Sequence, residues 1–347
     1  MRERIEMMAS NPPVVSTPVS ALWRSRAIGL AVLVAALAFL PPLLLASLWI
    51  KVLTGVAIYT LTAAAIALLY RRLGLVSLAH VALMGAGGWV GLRLAYGLGT
   101  PFEVNMLAGG VAAAGLGMVF AYPALRMRGL YLALVTLMIA GAFAIIVNVI
   151  QFPNGGSGWL GFAVKSAGYM PRPTFASSDA AYFAYCVVVT ALGMALTHWH
   201  EIGKAGRAWA LIRRSEAAAM STGVDVPFYK VWAFALSGFL AGIAGVLLAG
   251  NLQMLDARSF PAAESVMIFA LTIVGGAWSP VGALIAAALY RLVPALLNDL
   301  GVNGDTAYII FGAALIHALA TAPRGIAGQI EDLAVLLLGK SNGGSAR

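Results

Sequence analysis

Uncharged apolar runs recur along this chain, separated by short polar clusters that carry most of its charge. They cover residues 28–50, 52–70, 73–92, 104–125, 130–150, 180–197, 231–255 and 306–322. At 1.5 Å of rise per residue, helices of this length cross about 30 Å of hydrocarbon. Pro41 and Pro42 predict a kink in the first span, which a membrane helix tolerates when neighbours satisfy the freed carbonyls. The run from Ser265 to Tyr290 is too long for one helix and is broken at Gly275-Gly276-Ala277-Trp278-Ser279-Pro280. Upstream of the break, about 16 residues from Pro261 reach roughly 24 Å, a short span or a re-entrant segment. Charge decides between them. With ten crossings and both termini cytosolic, most of the 22 Lys and Arg collect on the inside, Arg71, Arg72, Arg126, Arg207, Arg213, Arg214, Lys230 and Arg324 among them. A re-entrant segment would send Arg324 and Lys340 out and bring Asp299 and Asp305 in. The pattern therefore predicts an all-α, polytopic membrane bundle of about ten helices, the eighth short or tilted.

Composition agrees. Of the 347 residues, 61% are hydrophobic and 10% charged, with a mean hydropathy of +0.90, whereas soluble domains carry roughly 25% charged residues. The net charge of +9 sits between apolar runs, without the aromatic interleaving of a nucleic-acid groove. Cys186 stands alone, so no internal disulfide forms. Residues 1–26 mix Arg, Glu and Pro and read as a cytosolic tail. The membrane domain is assigned to 27–325, with a cytosolic loop at 198–230, and a C-terminal cytosolic tail to 326–347.

The longest polar interruption is GRAWALIRRSEAAAMSTGVDVPFYK, residues 206–230. It alternates Arg207, Arg213, Arg214 and Glu216 with Trp209, Ile212 and several alanines. From Gly206 to Thr222 the residues favour helix, and Gly223 offers a stop before Pro227. The pattern predicts one short amphipathic helix between two spans, displayed to a partner or lying on lipid headgroups.

The chain lacks HExxH, GxSxG and any Cys/His cluster, so metal ligation and nucleophilic hydrolysis have no minimum set. Gly339-Lys340-Ser341 imitates the end of a phosphate-binding loop, but Ala334 occupies the position that needs Gly. Carboxylates are scarce within the spans; Glu264, near a span's outer end, comes closest. That argues against an ion-coupled carrier, although carbonyls at broken helices can also bind sodium. His80 is either a packed, hydrogen-bonded core residue or a ligand, and Arg291 either snorkels or points into the bundle. Gly238 and Gly242 form a GxxxG pair continued by Gly245, as close helix packing requires. Gly85, Gly87, Gly88 and Gly91 crowd the third span, for packing or for a broken, substrate-lining helix.

Several stretches together resemble the LivM-type permeases of branched-chain amino-acid ABC transporters. These are GLVSLAHVALMGAGGWVG from Gly74, MRGLYLALVTLMIAGA from Met127, Asn154-Gly155-Gly156-Ser157-Gly158, the 206–230 loop with the helix after it, IVGGAWSPVGALIAAAL from Ile273, and Pro323-Arg324-Gly325. They run in family order. The resemblance implies a permease subunit of an ATP-driven importer in the bacterial inner membrane. Its partners would be a LivH-type permease, two cytosolic ATPases and an external substrate-binding protein. ATP and magnesium would be bound by the ATPases, and this chain would carry no cofactor and no catalysis. The 206–230 loop would be the coupling loop, with Gly206, Arg207, Trp209, Ile212, Arg213, Arg214, Glu216, Ala217, Ala218 and Gly223 as its working residues. In an ATPase groove, the arginines and Glu216 would give orientation, and Trp209 and Ile212 apolar anchorage. His80, Tyr131, Thr136, Asn154, Gly155, Gly156 and Ser157 are the expected path or gate residues; helix packing and a glycine turn account for the same positions. Departures bear on cargo: Gly141 stands where the family often has Glu or Gln, and Ala79 where it has Gly. Branched-chain amino acids, other small polar solutes, urea, amides and carboxylates all remain open as substrates. An autonomous carrier and a membrane scaffold that recruits a cytosolic partner are the readings from other classes.

Overall fold

In the computed structural model, the described residues are 19–127, 129–149, 170–253, 255, 260–302, 306, 309–310, 312–313, 325–330 and 333. No strand occurs among the described residues, helical positions fall at 306, 309–310, 312–313, 325–330 and 333, and eleven α-helices and one short 3-10 turn are delimited between residues 19 and 299. In chain order they are α1 (Val19–Leu44), α2 (Ser47–Leu73), α3 (His80–Leu98), α4 (Phe102–Ala124), α5 (Gly129–Val149), α6 (Asp179–Ile202), α7 (Lys204–Arg214), α8 (Glu216–Ser221), α9 (Val226–Leu252), α10 (Ala262–Gly275) and α11 (Pro280–Asp299). Seven of them, α2 to α6, α9 and α11, are long and apolar enough to cross a membrane; Val32–Leu44 and α10 are shorter apolar helices. The chain is a multi-pass helix bundle. The expected tails at 1–26 and 326–347 and the span at 306–322 lie largely outside the described residues.

Two predicted boundaries are corrected. The first span was expected to run to Ile50, but α1 ends at Leu44, two residues after the prolines that cannot donate to the helix ladder. Lys51, expected in a loop, lies inside α2. The third span was expected from Leu73, but Gly74 caps α2 at φ 68° and the chain stays non-helical until His80. Leu75, Ser77, Leu78 and Ala79 in this stretch are buried, so their backbone needs partners inside the protein. One comes from α5: the Leu78 amide donates to Thr136 Oγ1 at 2.9 Å, while that hydroxyl faces the Leu132 carbonyl oxygen, also at 2.9 Å.

Helices α2 and α9 form the centre, with 89% and 83% of their most apolar windows buried against 22% for α11. Small residues allow this. A Cβ on Gly238 would fall 2.5 Å from the Ala113 carbonyl oxygen of α4, and one on Gly242 2.6 Å from that of Gly109. A Cβ on Gly245 would collide with the Met84 carbonyl of α3, and one on Gly87 with the Gly242 backbone. Backbone thus meets backbone where α3, α4 and α9 cross, and dispersion and weak polar contacts replace the hydrophobic effect that lipid does not supply. Buried hydroxyls add links between helices: Thr190 Oγ1 donates to the Ala57 carbonyl at 2.9 Å and Tyr182 Oη to that of Leu247 at 2.7 Å.

Helix α10 has 14 residues, about 21 Å. It ends at Gly275 because Gly276 caps it in the left-handed region at φ 111°. The turn that follows lies beside the C-terminus of α2, where Arg71 Nη1 donates to the Trp278 carbonyl at 3.2 Å. Arg291 of α11 points into the bundle, its guanidinium carbon 5.6 Å from the Tyr59 ring centre.

The glycine crossing yields a test. Gly242→Val should destabilise the bundle by at least about 1–3 kcal/mol, the usual cost of overpacking. Gly141→Ala should be neutral, because a Cβ there meets nothing within 4 Å. Thermal unfolding of the two detergent-solubilised variants against the parent chain measures both effects.

Candidate functional site: a braced helix pair at one end of the bundle

The polar stretch after α6 folds into two helices. The predicted single helix over 206–222 is corrected: Ser215, at φ −164° and ψ 121°, ends α7 and opens α8. Its hydroxyl accepts from the Ala218 amide at 3.2 Å, the N-cap for which serine is favoured. At the other end, Gly223 takes φ 80°, and the Val224 amide returns to the Ala219 carbonyl at 3.0 Å, as in a Schellman stop. Asp225 then caps α9 by accepting from the Phe228 amide at 3.0 Å. Gly206 permits the tight α6–α7 corner, since any Cβ there would strike the Glu201 backbone.

The apolar face of this element points inward. Trp209 is fully buried and Ile212 nearly so, packed with Leu68, Leu69 and Leu73 of α2 and with Val226 and Phe234 of α9. The Trp209 indole Nε1 donates to the Tyr229 carbonyl at 2.8 Å. The expectation that Trp209 and Ile212 anchor a partner is therefore corrected: they anchor α7 to its own bundle. Glu216 and Arg213 are also engaged internally. Glu216 pairs at 2.6 Å with Lys230, whose ammonium is buried and also donates to the Ala124 carbonyl at 3.0 Å. Arg213 Nη1 donates to the Tyr70 carbonyl at 3.1 Å and to that of Arg71, at the end of α2 where the helix dipole favours a cation. Its guanidinium carbon also lies 4.5 Å from the Trp278 ring centre.

A carboxylate absent from the expected set organises the region. Glu201, near the end of α6 with its side chain only 5% exposed, pairs with Arg71 and with Arg72 at 3.0 Å. The sequence signals were a lone acid just before the loop and an Arg-Arg pair ending a span.

The solvent-facing residues of α7 and α8 are Lys204, Arg207, Ala210, Leu211, Arg213, Arg214, Ala217, Ala218, Met220 and Ser221. Arg207 and Arg214, seven residues apart, lie on one side of α7. The outward face is thus a shallow apolar strip, with Leu211 40% and Met220 58% exposed, edged by the exposed guanidinia of Arg207 and Arg214. Such a face suits a groove with an apolar floor and acidic rim.

Of the expected path residues, His80, Tyr131 and Thr136 lie among the described residues. His80 is buried, its Nε2 2.7 Å from Ser237 Oγ, which donates to the Ala65 carbonyl at 2.8 Å. The imidazole thereby links α3, α9 and α2. Thr136 holds the non-helical stretch before α3, whereas Tyr131 is 75% exposed on the outside of α5. Asn154, Gly155, Gly156 and Ser157 lie outside the described residues. No cluster of His, Cys, Asp and Glu able to hold a metal occurs among the described residues.

The Lys230–Glu216 pair should show reversed additivity. Glu216→Gln leaves a buried ammonium without its counter-charge, so the double variant Glu216→Gln/Lys230→Met should melt higher than Glu216→Gln alone. Thermal unfolding of the two checks the sign.

Residues 48–319 match the family described as branched-chain amino acid transport system, permease component. The LivM high-affinity branched-chain amino acid permease protein of Escherichia coli K12 is 27% identical over 311 residues, covering 77% of this chain and 69% of that protein. Its counterpart from Salmonella typhimurium LT2 is 26% identical, covering 82% and 73%. The LsrD permease protein of the autoinducer 2 import system of Photorhabdus temperata is 28% identical, covering 55% and 57%. No solved structure matches the chain. The family match spans most of the bundle and includes the braced helix pair, so this chain belongs to the permease-component family of branched-chain amino acid transport systems.

Proposed function

We propose that this chain is a non-catalytic permease subunit of an ATP-driven importer in the bacterial cytoplasmic membrane, carrying branched-chain amino acids or related small polar solutes. A second permease, two cytosolic ATPases and an external binding protein complete the assembly, with ATP and magnesium bound by the ATPases. The observation that carries this reading is the helix pair α7–α8. Its inner face is sewn into the bundle through Trp209, Ile212 and Lys230, while its outer face keeps an apolar strip edged by Arg207 and Arg214. A flexible tether needs neither feature. An element that receives force from a partner and passes it to the membrane helices needs both.

In this account, the ATPase groove takes Ala210, Leu211, Ala217, Ala218 and Met220 against its floor, and acidic groups on its rim meet Arg207 and Arg214. Closure of the two ATPases moves α7–α8 as one body, and the bundle changes between outward- and inward-facing states because the two nucleotide states of the ATPases differ in their contacts. The position of Gly141, with open space around it, supports a cargo that needs no acidic side chain there.

The test is recovery of the ATPases with tagged chain co-expressed with its genetic neighbours. Wild-type material should carry magnesium-dependent ATP hydrolysis. The pair Leu211→Asp/Arg214→Glu should lower ATPase recovery by about tenfold or more, on the scale of a hot-spot loss, with an unchanged melting profile for the permease. Undiminished recovery would overturn the docking face, and solute uptake by the isolated chain on a proton or sodium gradient would favour an autonomous carrier.

A further inference from the structure

The hairpin made by α10, residues 276–279 and α11 touches the braced element at one place. Its turn is stiff. Gly276 takes φ 111°, the Ser279 amide donates to the Gly276 carbonyl at 3.2 Å, and the Gly282 amide to that of Ser279 at 3.0 Å. A Cβ on Gly282 would strike the Gly276 backbone, so the two arms are pressed together. Trp278 projects from this turn, about half exposed. Three groups seize it: Arg71 donates to its carbonyl at 3.2 Å, Tyr70 meets its ring edge-on with centroids 6.5 Å apart, and Arg213 lies over the ring face at 4.5 Å. Arg71 and Tyr70 belong to α2, a central helix with 89% of its most apolar window buried. Arg213 belongs to α7, and so joins the hairpin directly to the helix pair.

The far half of the hairpin reaches the irregular entry to α3. Ser265 of α10 is buried, and its hydroxyl accepts from the Val81 amide at 3.4 Å. Phe260, just before α10, packs against Gly85 of α3, where a Cβ would fall 3.1 Å from its ring. Displacing the turn at Trp278 therefore loads the start of α3, the segment whose backbone is held by Thr136 of α5. A rigid hairpin passes such a displacement along its length, because close-packed helices shift as units.

We propose that Arg213 and Trp278 form a positioning pair that delivers the motion of α7–α8 to the α10–α11 hairpin. The pair acts as a lateral branch, separate from the Glu201 clasp that fixes the root of α7 to α2. This rests on the importer reading above and adds to it the element that moves. Loss of the Trp278 ring leaves α7 docked through Trp209, Ile212 and Glu201 but disconnects the hairpin.

The experiment uses the complete complex in nanodiscs, with Ala263→Cys as a reporter at the exposed far end of α10. The chain's own Cys186 is fully buried, and the complex without the new cysteine supplies the background. The reading is the rate of thiol modification before and after trapping with magnesium, ATP and vanadate. With Trp278 present, trapping should change the rate by roughly threefold or more, as a change in thiol access does. Trp278→Ala should abolish that change while ATP hydrolysis stays within about twofold of the parent, since it removes only ring contacts far from the nucleotide. Arg213→Gln, which also gives up the bonds to the Tyr70 and Arg71 carbonyls, should abolish it too. Trp278→Phe, which keeps a ring face, should restore most of it. An unchanged trapping response in Trp278→Ala would overturn the positioning pair and leave the importer reading standing. Loss of the ATPases from that variant would make Trp278 an assembly contact instead, and an unresponsive reporter in the active parent complex would show that the hairpin does not move. A parent chain that recovers no ATPase would overturn the importer reading and the pair with it.

Discussion

One carboxylate holds the working end of this bundle together. Glu201 lies almost buried between two guanidinia, Arg71 and Arg72, where an unpaired charge of either sign would be costly. Removing one partner from such a cluster typically costs about 3–5 kcal/mol, far more than an exposed pair contributes. The clasp joins the last turn of α6 to the last turn of α2, one residue beyond which the chain turns into α7. Next to that corner come the close Gly206 approach, the burial of Trp209, and the reach of Arg213 to the Tyr70 carbonyl and the Trp278 ring.

The helix pair sits on a closely packed centre, the glycine crossing of α3, α4 and α9. Where Gly87 and Gly242 bring backbones into contact, no side chain can rearrange to absorb a displacement. Buried polar groups reinforce the same centre. His80 and Ser237 link three helices, and Thr136 satisfies an amide that the non-helical entry to α3 would leave bare. Packing is thinner at the α10–α11 hairpin, where only 22% of the most apolar window of α11 is buried. His80 and Thr136, two of the residues that resemble a substrate path in sequence, make these scaffold contacts.

How much was legible depended on the range of the interaction. The helical class followed from run lengths, and the glycine packing of α9 from spacing within a single helix, both local properties of the chain. The break at residues 275–280 was visible because Gly and Pro mark it directly. Helix ends were less readable: hydropathy does not register that Pro41 and Pro42 end α1 early, or that Gly74 delays α3 until His80. The direction in which α7 faces was misread for a different reason. An amphipathic helix shows which side is apolar but not whether that side meets a partner or its own bundle, and Trp209 chose the bundle because Leu68, Leu69 and Phe234 wait there. Glu201 escaped notice altogether, since its partners stand about 130 residues away in sequence and only the fold makes them neighbours.

The central claim is that α7 is a braced part of the bundle and that Glu201 is the brace. Amide hydrogen exchange over residues 204–221, in the parent chain and in Glu201→Gln, tests it most directly. If the account holds, amides 207–214 of the parent exchange nearly as slowly as those at the end of α6, and Glu201→Gln accelerates them while leaving the α3–α4–α9 crossing protected. Fast exchange across 204–221 in the parent chain, or protection unchanged by Glu201→Gln, would contradict it.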